Sequence, residues 1–188
     1  STLRSVLFST YSNTASDFTN AILNNVDASH ASFNGANLQN TDLSQSIFIE
    51  VNLFGADPVG ASFNESIINY ADARNLVATN SWFISAQIMH TNLDNSDFSN
   101  AIMSLADFTG STLTGVNFNA ANLENTNFKH SKLYYLGATT CYVYISPTEL
   151  KQVYVPISGT VFDSANLQNA DFSGLTIRGD VRFAYADL

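Results

Sequence analysis

Basic residues, cysteine and proline are scarce in this chain. Its 188 residues include seven Lys and Arg against sixteen Asp and Glu, for a net charge of −9. Charged residues make up 12% of the total, about half the usual share. Cys141 is the single cysteine, so no internal disulfide can form and thiol usage says nothing of compartment. Between Ser5 and Phe128 there are eleven acids and one base, Arg74; five bases, Lys129, Lys132, Lys151, Arg178 and Arg182, come later. So few cations argue against direct nucleic-acid binding, since nothing would neutralise phosphates. No apolar run approaches the ~18 residues of a membrane-spanning helix, so no membrane insertion is expected. No signal peptide is visible and no initiator Met is present; Ser1 is read either as a processed N-terminus or as a boundary.

A five-residue period is what the chain does have. From Phe18 to Leu133 every fifth residue is large and apolar, except Ala28, Pro58, Ala73 and Ala78. Phe54 is the one phenylalanine off this lattice or its later, shifted phase. A period of five matches neither the helical 3.6 nor the strand 2.0, so it signals an internal repeat. Two residues before each lattice position comes a second inward position, small or β-branched except at Leu76. Leu76 is partnered by the small Ala78, and Ala28 by the larger Val26, exchanges that conserve core volume. Asp or Asn is favoured immediately before the lattice position.

Ala36-Asn37-Leu38-Gln39-Asn40, Ser96-Asp97-Phe98-Ser99-Asn100, Ala106-Asp107-Phe108-Thr109-Gly110, Ala121-Asn122-Leu123-Glu124-Asn125 and Ala170-Asp171-Phe172-Ser173-Gly174 carry the pattern plainly. In this the chain resembles the pentapeptide-repeat family. The resemblance implies an all-β fold, a right-handed quadrilateral β-helix with four pentapeptides to each square coil. About eight coils at a spacing of ~4.8 Å would make a rod of roughly 38 Å. One pentapeptide cannot bury a core, so coils must stack. A single solenoid domain over residues 1–188 is expected, interrupted by a non-repeat insertion at about 134–156.

Three places depart from the lattice. Tyr11–Ala15 lacks the inward residues, which predicts a loose or capping first coil. Pro58 brings a residue without a backbone donor to an inward position, which predicts a local bulge. After Leu133 the lattice extends at most through Ala138 and Val143. It resumes in another phase at Ile157, Phe162, Leu167, Phe172 and Ile177, with a one-residue slip before Phe183. Inside the gap, Ser146, Pro147 and Glu149 read as N-cap, N1 and N3 of a capping box, which predicts a short helix over 147–154. Five of the eight tyrosines lie in or beside the gap: Tyr134, Tyr135, Tyr142, Tyr144 and Tyr154.

Residues twenty apart should share a face. Sorting the outward positions this way gathers Ile47, Ile67, Trp82, Ile84, Met89 and Ile102 around one corner of the middle coils. A contiguous apolar patch on an otherwise polar rod marks a contact surface. Tyrosines with no role in the repeat point the same way, so Tyr142, Tyr144 and Tyr154 join the candidate partner-binding residues. No catalytic set is assigned. The acids spread over all faces without the paired cleft that two-carboxylate chemistry needs. In the corner series that holds His30, His90 and His130, the nearest histidines, His90 and His130, are two coils or roughly 10 Å apart, too far to share a metal. No cofactor is expected.

These features predict a non-catalytic docking or structural module that acts through its outer surface on protein partners, with a homodimer compatible. The resemblance adds a setting, because proteins of this look are abundant in cyanobacteria and in chloroplast thylakoid lumens. A processed protein of the thylakoid lumen, a small subunit of a photosynthetic assembly, is favoured over a bacterial cytoplasmic one. The alternative it allows is an acidic, DNA-mimicking inhibitor of DNA gyrase, like the quinolone-resistance members. Those members typically dimerise through a C-terminal helix, whereas the only helix expected here lies internally.

Overall fold

The computed structural model describes residues 3, 16–134, 139–146, 149–155, 160–178 and 181–188, with only the backbone of 134, 139–146, 149–155 and 178. The chain winds as a right-handed quadrilateral β-helix. Each pentapeptide contributes one short rung that pairs in parallel with the rung twenty residues on. Asp17, Asn37, Asp57, Val77, Asp97, Asn117, Val161 and Arg182 form one such column through eight coils. Ile22, Asp42, Ser62, Trp82, Ile102, Asn122, Asn166 and Asp187 form the next.

Local chemistry explains why each corner turns where it does. Phe18 O accepts from Ala21 N at 2.8 Å, closing a β-turn. Its third residue, Asn20, has φ 60°, the mark of a type II turn. The same positive φ recurs every five residues, mostly at Asn or Gly. Asp or Asn before the lattice position secures the turn by accepting the amide two residues on, as Asp97 does from Ser99 at 2.8 Å.

The core is the lattice itself. Phe33, Phe48, Phe63, Phe83, Phe98, Phe108, Phe118, Phe128 and Phe162 are fully buried. Rings one coil apart stack nearly parallel, as Phe63 on Phe83 at 4.8 Å and 5° and Phe108 on Phe128 at 5.2 Å and 4°. Rings on opposite faces of one coil meet edge-on, as Phe118 and Phe128 do at 5.9 Å and 78°. Leu76 and Ala78 are both buried, the exchanged pair filling the same interior. Hydroxyls at the small inward positions lace the coils together. Ser96 Oγ donates to Ala73 O at 2.7 Å and accepts from Leu76 N at 3.1 Å. Serine and threonine are therefore tolerated inside because the ladder satisfies them.

Three expectations are corrected. Pro58 causes no bulge. It is buried in register, Val77 N still donates to Ala56 O at 3.0 Å, and Gly60 N still donates to Thr79 O at 3.1 Å. Only the rung bond that its missing N–H would have made is lost.

The lattice does not continue through Val143, because that residue pairs with Lys151 in a hairpin. Strand β1 (Lys132–Tyr134) is the last solenoid rung before the gap. The chain then forms β2 (Thr139–Ser146) and β3 (Glu149–Val155), paired antiparallel from Thr139↔Val155 to Ser146↔Glu149.

The helix expected over 147–154 is therefore strand from Glu149 onward. Its capping signals were local, whereas Val153, Tyr154 and Val155 favour an extended backbone. The eight residues of β2, rich in Thr, Tyr, Val and Ile, supply the ladder partner that a local reading could not weigh. The solenoid resumes at β4 (Thr160–Val161), with Asn117 pairing Val161 where uninterrupted spacing would bring residue 137. Strand β5 (Thr176–Arg178) pairs with β1, and β6 (Val181–Arg182) pairs with β4 at a spacing of twenty-one, which absorbs the one-residue slip. Tyr11–Ala15, Tyr135, Ala138 and Ile157 lie outside the described residues.

Candidate docking surface

The polar outer residues mostly serve the turns, so apolar ones stand out. Trp82 and Ile102 are successive members of one column, paired in parallel and exposed by 39% and 37%. Ile84 lies two residues past Trp82 on the same face and is half-buried. Ile47 and Ile67 are bridged neighbours on the next face, where Met89 follows; all three are half-buried. Of the residues singled out from sequence on the solenoid, then, Trp82 and Ile102 are the exposed ones, and the other four lie around them with part of each side chain covered.

In the coils around Trp82, two exposed aliphatic residues escaped the sequence reading. Leu105 occupies a corner position filled in neighbouring coils by the polar Asn25, Gln45, Glu65, Ser85 and Asn125; its φ is 63° and it is 58% exposed. Val77, exposed, lies on the face preceding that of Trp82, in the same coil. Leu105 had a readable signal, a branched apolar residue at a position that needs positive φ. Val77 had none, since β-branched residues are ordinary in strands.

The hairpin presents Tyr142, Tyr144 and Tyr154 by register. Tyr142 and Tyr144 are two apart on β2, and Tyr154 pairs with Thr140, so the three occupy register positions of one face of the ladder.

The histidine corner is a ladder of separate contacts. His30 Nδ1 lies 3.3 Å from Glu50 Oε2, both side chains being exposed. His90 stacks on Tyr70 at 5.2 Å and 11°. It also overhangs Gly110, whose added Cβ would come within 2.5 Å of His90 Nδ1. Among the described residues no three His, Cys, Asp or Glu gather closely enough to hold a metal.

Electrostatically the surface is a field of individually tethered carboxylates. Arg74, the one base of the long acidic stretch, pairs with Asp72 at 2.7 Å and lies over the Phe54 ring at 5.2 Å. The Arg74 hydrogen bond holds Asp72 below the usual carboxylate range. Hydrogen bonding from the Ser44 side chain does the same for Asp42, and from Thr19 for Asp17. Asp171 is drawn down to about 2, chiefly by the Ser173 amide and then by Lys129 at 3.0 Å.

A square parallel coil built from five-residue turns, with its interior filled by stacked rings and its variation confined to outer positions, defines a repeat solenoid. The pentapeptide repeats family matches residues 14–48 and 91–129, and eight copies are recognised. Over those stretches the chain is similar to the pentapeptide-repeat family. No curated protein is significantly similar to it in sequence. Among solved structures, a trypsin-treated form of QnrB1, a plasmid-mediated fluoroquinolone resistance protein, superposes with a TM-score of 0.76 at 16% identity, covering 100% of this chain and 79% of that one. HetL, a pentapeptide repeat protein involved in heterocyst differentiation regulation from the cyanobacterium Nostoc sp., gives 0.61 at 20% identity, covering 92% and 70%. A pentapeptide repeat protein of the Arabidopsis thaliana thylakoid lumen gives 0.32 at 21% identity, covering 88% and 70%. At these identities the first two likenesses speak to the fold, and the third overlap is too loose to carry weight.

Proposed function

We propose that the protein is a non-catalytic docking module, a rigid rod that binds protein partners through its outer surface as part of a larger assembly. The exposed Trp82–Ile102 pair carries this reading. The interior of the coils is packed with stacked rings, so recognition falls to outer side chains. Two large apolar side chains on successive rungs contribute nothing to that interior. Tryptophan is also among the residues most enriched where interfaces concentrate their energy. The tyrosine positions of the β2–β3 hairpin, which share one face of its ladder, form a second contact region where the repeat is interrupted.

Affinity capture from the native source tests the proposal. Three baits are compared: the parent, Trp82→Asp, and a variant whose residues 139–155 are replaced by a short Gly-Ser loop. A species held by the parent, lost from at least one variant and rebound in purified form supports docking through these surfaces. Retention of the same species by all three baits overturns it. A supercoiling assay with DNA gyrase separates this function from that of an acidic gyrase inhibitor, for which inhibition by the parent is required.

A further inference from the structure

Resting on the docking function just proposed, the geometry points to a particular partner chemistry: we propose that the Trp82 face receives a protein segment combining apolar anchors with Lys or Arg. Four exposed apolar residues define the centre. Trp82 and Ile102 are adjacent rungs, separated by roughly 4.8 Å of rod. Leu105 follows three residues after Ile102 at the corner, and Val77 lies on the adjoining face of the Trp82 coil. Leu105 is the telling member. Its backbone is left-handed, a conformation that costs a branched side chain energy and costs Asn or Gly little. Its side chain is 58% exposed, so the core gains little in return. A bulky apolar group held at a strained, solvent-facing corner fits a contact residue.

The rim of this patch is anionic. Asp57 and Asp97 bracket Val77 in its own column. Glu65 precedes Leu105 by two coils in the corner series, and Leu105 N donates to Glu124 O at 3.0 Å from the coil beyond. Asp107 opens the next face two residues after Leu105. No Lys or Arg occurs from Asn75 to Phe128. Arg74, on the face opposite that of Trp82, is already held by Asp72. An apolar centre flanked by acids on both adjoining faces selects a cationic amphipathic segment, and it repels nucleic acid and anionic lipid surfaces.

The chain supplies its own reporter, since Trp82 is the single tryptophan. The probe is a short synthetic peptide alternating Lys and Leu, compared at physiological salt with the same peptide carrying Glu for Lys. The Lys peptide should shift Trp82 emission to the blue saturably, with a dissociation constant about tenfold or more below that of the Glu peptide. Raising the salt should weaken it. Leu105→Asn installs the residue found at the same corner as Asn25 and Asn125, one that tolerates positive φ, so its melting temperature should equal or exceed the parent's, while the Lys peptide binds about fivefold or more weakly. Equal binding of the two peptides, no shift with either, or unchanged binding by Leu105→Asn overturns the inference. Loss of the captured partner from the Trp82→Asp bait alongside any of these results would leave the docking function standing and remove only the cationic partner.

Discussion

Phe128→Ala probes the stacked lattice where it is most crowded. Phe128 is fully buried. Its ring stacks on Phe108 at 5.2 Å and on Phe172 at 5.0 Å, and meets Phe118 and Phe162 edge-on at 5.9 and 5.7 Å. Removing a buried ring that the surroundings cannot refill costs about 3–5 kcal/mol. With four aromatic neighbours fixed by their own coils, collapse into the cavity is restricted, so the upper half of that range is expected. For a chain of this size, each kcal/mol lowers the melting temperature by about 2–4 °C, so a drop of at least ~8 °C should appear. The control is Phe54→Ala, which removes the one off-lattice phenylalanine. Phe54 is 36% exposed and carries the Arg74 guanidinium, a contact worth about 0.5–1 kcal/mol at such a site. Thermal and urea unfolding, followed by far-ultraviolet circular dichroism, should rank the two far apart. Phe128→Ala within ~1 kcal/mol of the parent, or below Phe54→Ala in cost, would refute the inward lattice.

Leu76→Ala should cost about 2–5 kcal/mol, and adding Ala78→Leu should recover part of it by returning volume to the usual side of the coil; equal or greater damage in the double variant contradicts volume exchange. Gly110→Ala should be more destabilising than Gly35→Ala in calorimetry. Both positions have positive φ, but only at Gly110 would the new methyl meet His90, so equal melting temperatures would contradict the overhang. Asp171 has a folded pKa of about 2, below the ~3.9 of an unfolded aspartate. Its stabilising effect is therefore complete above the unfolded value and fades as pH falls toward the folded one. The melting-temperature gap between the parent and Asp171→Asn should be open at pH 6 and narrow toward pH 2; a constant gap, or a carboxyl that titrates in the ordinary range by NMR, contradicts the Ser173 and Lys129 contacts.

The solenoid was legible because its signal repeats. Any one Ala-Asp-Phe is weak, but the lattice from Phe18 to Leu133 leaves few other ways to bury every fifth residue. Even its irregularities were readable where they concerned volume, as at Leu76 and Ala78. Failures came where one local rule met a non-local partner. Ser146 and Glu149 look like helix caps until the eight residues of β2 are placed beside β3. Pro58 looks like a bulge until the neighbouring rungs at Gly60 and Val77 are seen to hold the coil. The candidate surface was half legible. Sorting by twenty brought Trp82 and Ile102 together, but it gave no measure of how far Ile47, Ile67, Ile84 and Met89 sink between their neighbours. Leu105 carries no mark of the repeat, since the corner tolerates residues as different as Gln45, Glu65 and Ser85. No feature of the repeat names a partner, because the same inward lattice supports any outer residue that tolerates the turn.

Hydrogen–deuterium exchange of the protein alone and with its captured partner tests outer-surface docking most directly. Amides that report on the Trp82 face, within residues 77–107, and on the hairpin, within 139–155, should exchange more slowly in the complex, while those on the opposite faces of the same coils stay unchanged. Protection confined to the faces away from Trp82, or none at either region in a complex shown to be intact, would contradict the account.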